Sequence, residues 1–323
     1  MDKILIITNN NEATCKPVIR KLELWGQSYI RINTEFLSNK KITIMHERNS
    51  QKIYLKYRNK YLDLSNIKSV WYRHPEKIII AKNIKDKDIE FAEYQWQSFL
   101  WSLYNSINGF WMNNPIASKL LEHNKLHQMK LAELVGFKTP KTIITNDAEQ
   151  LLIFTKEMDG EVALKVLRPT LVTVENKGDA FIYTNKVSID YIKQHYKDIK
   201  LAPVLAQEYI DKKFELRVTV VNNEIFACCI DSQANKHTNI DWRKKDTLLL
   251  THSEYNLSED IKNKLRHFMK IFNLVYGAFD FIITPEGKLI FLEVNPSGQW
   301  LWIERLIKLP ISEAIARYLI SPV

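Results

Sequence analysis

Three oxygen-bearing side chains stand inside two apolar runs late in the chain: Asp280 within Phe279–Thr284, and Glu293 and Asn295 within Leu289–Pro296. Burying such groups is costly unless something binds them. The intervening Thr284-Pro285-Glu286-Gly287 is turn chemistry, so the segment reads as a β-hairpin. Closing it with Thr284 opposite Gly287 sets Asp280 against Phe291 and Ala278 against Glu293. Strand alternation then puts Asp280, Glu293 and Asn295 on one side. Two carboxylates and an amide oxygen, with no His or Cys beside them, form an oxygen-only donor set. Mg²⁺ takes such a set when water and substrate phosphates complete its shell. A one-residue slip would send Glu293 to the opposite face. The competing reading is a solvated hairpin edge, against which Phe279, Phe281, Phe291 and Leu292 argue for burial.

The elements around this hairpin follow from patterning. Ile4–Ile7, a helical stretch near Val18–Leu24 and Tyr29–Ile32 form a strand–helix–strand opening, the start of an α/β domain. Lys41–His46 with Lys52–Tyr57 alternates as a hairpin, and Ser69–Arg73 is a strand that Pro75 ends. Asp86–Asn105 is helical and rich in aromatics, which suits core packing better than a base-stacking platform. Gly109 and Asn113-Asn114-Pro115 break the chain, so the first domain spans 1–115.

The second domain, 116–203, opens with one long helix over Ala117–Val135 that stops at Gly136. It continues through a strand at Thr142–Thr145, a helix capped by Asn146 or Asp147, and a strand Glu161–Leu167 carrying Lys165. Polar Arg168–Asp179 is then a loop answered by a strand at Ala180–Tyr183, an arrangement able to cover phosphates. Ser188–Lys197 is helical. The third domain, 204–323, holds a strand at Val204–Ile210 and a hairpin of Glu215–Val221 and Glu224–Asp231 across Asn222-Asn223. An irregular stretch over Gln233–Thr251 follows, then a helix opened by Ser258, the organising hairpin, and a helix at Ser312–Leu319. Neither G-x-x-x-x-G-K-S/T nor G-x-G-x-x-G occurs, so any phosphates fall to side chains.

Composition narrows the class. No apolar run among the 323 residues approaches the ~18 needed to cross a membrane. Three cysteines, Cys228 and Cys229 adjacent, make no disulfide framework and fit a cytoplasmic protein with reduced thiols. The net charge of +9 is carried by scattered lysines, which suits solvated surface or an acidic partner.

With the glycine-rich loop missing and an oxygen-only metal set in place, the residues resemble the ATP-grasp superfamily across the whole chain. The carrying pattern is Asp280 with Glu293 and Asn295, then Gln207-Glu208-Tyr209-Ile210, then Lys165 in Ala163-Leu164-Lys165-Val166 with Lys125 on the earlier helix. Within that superfamily Val70-Trp71-Tyr72-Arg73, Asp241-Trp242-Arg243 and Phe291–Trp300 resemble the graspetide synthetases, the microviridin-type peptide maturases. The resemblance implies an N-terminal pre-ATP-grasp α/β domain and two α+β lobes clasping ATP. The backbone of Glu208, Tyr209 and Ile210 would meet adenine, Glu215 ribose, and Lys125 and Lys165 the phosphates. Asp280, Glu293 and Asn295 would hold two Mg²⁺ ions, with Arg217 and Arg243 on the transferring phosphoryl group. It also implies a ribosomal precursor peptide with a leader and an acidic core. Asp or Glu side chains of that core would be phosphorylated and joined to Thr, Ser or Lys, and the enzyme would be a homodimer.

One departure is His74, where many relatives carry a second Arg. Two rivals remain. One is an ATP-grasp ligase acting on free amino acids or a protein tail. The other is a non-catalytic nucleic-acid-binding protein, which leaves Asp280, Glu293 and Asn295 without a task.

Overall fold

Side-chain alternation decides what each sheet shows to its two faces. In the computed structural model, which describes residues 3–48, 50–57, 60–81, 84–167, 171–174, 178–235, 237–244 and 250–322, the chain opens with a parallel sheet. Its strand order is Tyr29–Asn33, Lys3–Thr8, Ile67–Tyr72, Phe110–Met112. Leu5 and Ile7 enter one core with Val70, Leu103 and Tyr104, while Ile4 and Ile6 enter another with Val18, Leu22, Ile315 and Leu319. Both faces are thus covered, as a parallel sheet requires: one by helix Asp86–Ser106, the other by helices Cys15–Leu24 and Ile311–Ile320. The aromatics of Asp86–Ser106 include edge-on partners in the core, Tyr104 meeting Tyr72, Trp101 and Trp111. The last helix of the chain therefore belongs to the first sheet. Ser69 Oγ donates to Leu319 O at 2.6 Å.

A middle sheet runs Asn185–Ser188, Glu161–Lys165, Val204–Glu208, Thr142–Thr145, antiparallel throughout. Val162, Leu164 and Ala206 turn toward Leu151 and Ile192 of its covering helices. A five-stranded antiparallel sheet follows, ordered His252–Glu254, Glu224–Ile230, Phe214–Val221, Tyr276–Ile283, Leu289–Asn295. Its buried face packs Val218, Phe279, Phe281 and Phe291 on Phe268 of helix Glu259–Ile271 and on Leu131 and Phe137.

Several expectations need correction. The stretch expected as one helix over Ala117–Val135 is two, Pro115–Glu122 and Lys125–Leu134. Asn124 starts the second by accepting from His127 N at 3.1 Å, a cap that outcompetes continued helix. The partner of Glu161–Lys165 is Asn185–Ser188, not the stretch near Ala180. Gly178–Phe181 pairs instead with Leu171–Val174 inside the stretch read as a loop, of which 168–170 and 175–177 lie outside the described residues. Ser188–Lys197 is two short helices, Ile189–Gln194 and Tyr196–Ile199. Three-residue strands Phe110–Met112 and His252–Glu254 and helix Leu301–Ile307 gave no periodicity long enough to read.

The organising hairpin also closes differently. Thr284 N donates to Lys288 O at 3.0 Å, with Gly287 left-handed at φ 79, so the turn is one residue longer than expected. That slip alone would have turned Glu293 away. A β-bulge at Leu292 adds a second residue, and Glu293 returns to the face of Asp280, now directly opposite it.

Candidate active site

Three side chains form a row across adjacent strands. Arg217 on Phe214–Val221 is opposite Asp280 on Tyr276–Ile283, which is opposite Glu293 on Leu289–Asn295. Like charges directly opposed repel, so the Asp280–Glu293 pair needs cations. Two flank it: Arg217 Nη1 donates to Asp280 at 2.8 and 2.7 Å, and Lys125 Nζ donates to Glu293 Oε2 at 2.5 Å. Lys125 is the first residue of its helix, so the helix break at Asn124 sets where it reaches.

Burial and charge then split the two carboxyls. Burial pushes Asp280 above the usual range, and the neighbouring Glu293 adds to that against the pull of Arg217. Burial acts upward on Glu293 too, but Lys125, Lys165 and Arg243 outweigh it and hold Glu293 low.

The facing wall comes from the middle sheet. Alternation that sends Val162 and Leu164 to the helices brings Ala163 and Lys165 to the cleft, with Gln207 beside them. Burial pushes the Lys165 ammonium down, Glu293 opposing. Glu208, Tyr209 and Ile210 leave the sheet at the back of the cleft. The Glu208 carboxylate accepts from Lys141 N at 3.2 Å, and Lys186 Nζ lies 4.3 Å from the centre of the Tyr209 ring.

Glu215 is held above its ordinary value by burial, with Lys212 acting the other way at 2.7 Å. Lys212 Nζ also donates to Ile240 O at 3.0 Å. From the loop beyond, Arg243 donates to both oxygens of Asp241 at 2.9 and 2.7 Å. Asp241 also accepts from Thr184 N of the middle segment at 3.0 Å. Burial opposes ionisation of Asp241, yet these contacts hold its pKa at about 2. Ile282 and Leu292 supply apolar wall.

Of the residues expected at a site, Lys165, Glu208, Tyr209, Ile210, Glu215, Arg243, Asp280 and Glu293 line this one cleft. Arg217 and Lys125 are not among its lining residues; each pairs with one of its two carboxylates, Arg217 with Asp280 and Lys125 with Glu293. Asn295 stands two residues beyond Glu293, opposite Ala278, with Oδ1 accepting from Ser297 N at 2.8 Å. Among the described residues no three of His, Cys, Asp or Glu gather as a metal site. The donors on hand are two carboxylates and an amide oxygen, all hard oxygen, which fit Mg²⁺. Four cations, Lys125, Lys165, Arg217 and Arg243, gather around the carboxylates of Asp280, Glu293 and Asp241, which suits a polyphosphate bound through a divalent cation.

Sequence reasoning gave Lys212 and Asp241 no task. Asp241 two residues before Arg243 was the available signal, while nothing local marks Lys212.

The loop after Asn295 is packed tightly. A Cβ on Gly298 would lie 2.5 Å from Ala278 Cβ and 2.7 Å from Arg217 Nη2, so only glycine lets the loop approach. Arg73, fully buried, donates to Ser297 O at 2.7 Å, Gly298 O at 3.1 Å, Thr14 Oγ1 at 2.9 Å and Gln299 Oε1 at 3.0 Å. Residues 122–319 match the RimK-like ATP-grasp domain, and residues 3–119 match the MvdD pre-ATP grasp domain. The chain belongs to the RimK-like ATP-grasp family.

Its fold is the ATP-grasp fold, matched at full length by solved members. A Chryseobacterium gregarium RiPP-associated ATP-grasp ligase, solved with ADP and a leader and core peptide, is 28% identical, with TM-score 0.93 over 100% of this chain and 98% of that one. The macrocyclase MdnC of Microcystis aeruginosa MRC, solved with the precursor peptide MdnA, is 25% identical, with TM-score 0.86 over 99% of each chain. MdnB from the same organism is 26% identical, with TM-score 0.81 over 99% of this chain and 100% of that one. No curated protein sequence matches the chain. No helix of the described residues is long and apolar enough to cross a membrane.

Proposed function

We propose that this ATP-grasp protein is a peptide macrocyclase. It phosphorylates Asp or Glu side chains of a ribosomal precursor peptide and joins them to Thr or Ser hydroxyls or to Lys amines of the same peptide. The observation that carries the reading is the row Arg217–Asp280–Glu293 facing Lys165 and Arg243 across one cleft. It stands in a chain whose full length is similar to a RiPP-associated ligase solved with ADP and peptide.

A carboxylate does not condense with an alcohol or amine at neutral pH, because its oxygen leaves poorly. Mg²⁺-bound ATP supplies the phosphoryl group that makes it reactive. The chain's own residues do the holding. Asp280, Glu293 and Asn295 would hold the metal, with Lys125 beside Glu293. Lys125 and Lys165 then neutralise phosphate oxygens, while Glu208, Tyr209 and Ile210 border adenine and Glu215 the ribose. Arg243, locked by Asp241, faces the transferring group, and Arg217 orients Asp280. A net charge of +9 favours an acidic core peptide. The proposal includes the division 1–115, 116–203 and 204–323, two Mg²⁺ ions, a leader bound away from the chemistry, a homodimer and a cytoplasmic location.

The test is mass spectrometry of a short Asp/Glu- and Thr/Lys-rich peptide encoded beside the protein, incubated with it and MgATP. Loss of one water per ring with one ADP released is expected. An unmodified peptide with ligation of free glutamate instead would assign the other acceptor class.

A further inference from the structure

His74 and Glu12 are not among the residues that line the cleft just described, but contacts through Gln299 and Arg217 connect them to its row of charged side chains. Both follow the carboxyl ends of adjacent parallel strands, Lys3–Thr8 and Ile67–Tyr72, the crevice where open α/β sheets place ligands. His74 Nδ1 is 2.6 Å from Glu12 Oε2. The Glu12 side chain is 6% exposed and that of His74 35%. Burial acts to raise the Glu12 pKa, but His74, Arg73 and Thr14 overcome it and hold it at about 2. An ionised Glu12 fixes the proton on Nδ1 and leaves the Nε2 lone pair as the free acceptor of the ring.

His74 also has a left-handed backbone, φ 43, uncommon for a residue with a side chain, and Asn9 Nδ2 secures it by donating to His74 O at 2.7 Å. Gln299 ties the ring's surroundings to the metal-site row by packing. Its amide nitrogen, itself a donor, lies 3.3 Å from Nδ1, whose proton is directed at Glu12, while Gln299 O accepts from Arg217 Nη2 at 3.2 Å and Arg217 grips Asp280. The other charged groups packed around it are Arg73 and, across Asn9, Arg31.

We propose that the Glu12–His74 pair is the general base that deprotonates the peptide's acceptor side chain, an assignment that rests on the macrocyclase reading above. The acceptor oxygen or nitrogen forms a bond to the phosphorylated carboxyl carbon, and the carbon–oxygen bond to phosphate breaks. Phosphate leaves with that electron pair, and the acceptor proton passes to His74 Nε2. Ring closure therefore depends on His74, whereas phosphorylation does not.

The experiment follows ring formation and ADP release separately for the wild type, His74→Ala, His74→Gln and Glu12→Gln. The substrate is the neighbouring Asp/Glu- and Thr/Lys-rich peptide, and melting temperatures are taken in parallel. Both His74 variants should close rings about a hundredfold slower while ADP release continues, because water hydrolyses the acyl phosphate that waits for its acceptor, returning the free carboxylate and phosphate. Added imidazole should restore ring closure to His74→Ala. Glu12→Gln should fall between them and the wild type. The assignment is overturned if a folded His74 variant keeps the wild-type rate of ring closure, if imidazole fails to rescue a folded His74→Ala, or if ADP release and ring closure fall together. If the wild type itself closes no ring, the macrocyclase reading fails and takes the base with it.

Discussion

At the level of single residues, the site works by charge compensation in a cleft where burial amplifies every pairing. Asp280 and Glu293 repel each other, and Arg217, Lys125, Lys165 and Arg243 make the pair tolerable. Asp280, Glu293 and Asn295 stood out in the sequence because polar residues in apolar runs are conspicuous, whereas Lys165 and Arg243 were singled out only through the family resemblance. Asp241 was visible but not interpretable, since its value lies in holding Arg243 and in reaching Thr184 far away in sequence. Asp241→Asn should keep the fold but loosen Arg243, lowering kcat roughly tenfold to a hundredfold with a smaller change in KM for ATP, as steady-state ADP release would measure.

A second residue-scale prediction concerns acid. Glu12 is depressed from 4.5 to about 2 in the folded protein. A lowered folded pKa contributes stability that is full above the unfolded value and lost as pH falls through the folded one. Glu12 should thus contribute about 3 kcal/mol near neutral pH, declining between roughly pH 5 and 2. Urea midpoints of wild type and Glu12→Gln should converge over that window.

Elements translate these residues into geometry, and here sequence reading was least complete. The hairpin was recognisable from its apolar runs and turn, but its closure depends on two irregularities. One is an extra turn residue with Gly287 left-handed, and the other is the bulge at Leu292. Neither has a local signature, because a bulge is chosen by packing on both faces. The helix break at Asn124 was missed for a similar reason: hydrophobic periodicity runs on from Leu121 to Leu131, and only the cap shows the interruption. Asn124→Ala should cost about 1 kcal/mol in thermal unfolding and lengthen the reach of Lys125 to Glu293. Gly298→Ala should do more, since its Cβ meets Ala278 and Arg217. Loss of stability together with a weakened Arg217–Asp280 contact is expected, readable as a lower melting temperature and reduced ADP release.

Across the whole molecule, the first and last parts of the chain share one core while the middle sheet keeps its own. Ile4, Ile6 and Trp71 pack with Ala278, Trp300 and Ile315, whereas Leu151, Val162 and Ile192 form a separate cluster. The α/β opening and the hairpin-centred end were legible as units. Their fusion through helix Ile311–Ile320 was not, because pairing at such sequence distance leaves no local trace. Asn113 is the rivet: its side chain donates to Tyr276 O and Pro296 O and accepts from Val275 N and Tyr276 N. Asn113→Ala strands buried polar groups and should cost on the order of 3 kcal/mol, measured by denaturant unfolding, without altering the cleft residues directly.

The cleft between that fused body and the middle sheet is where the central claim stands, and Glu293→Gln tests it most directly. The variant keeps the size of the side chain and removes the charge that Lys125, Lys165 and a divalent cation would share. With the melting temperature near that of the wild type, ADP release and peptide water loss should both fall by at least a hundredfold. Rings formed at the wild-type rate by a folded Glu293→Gln protein would contradict the account.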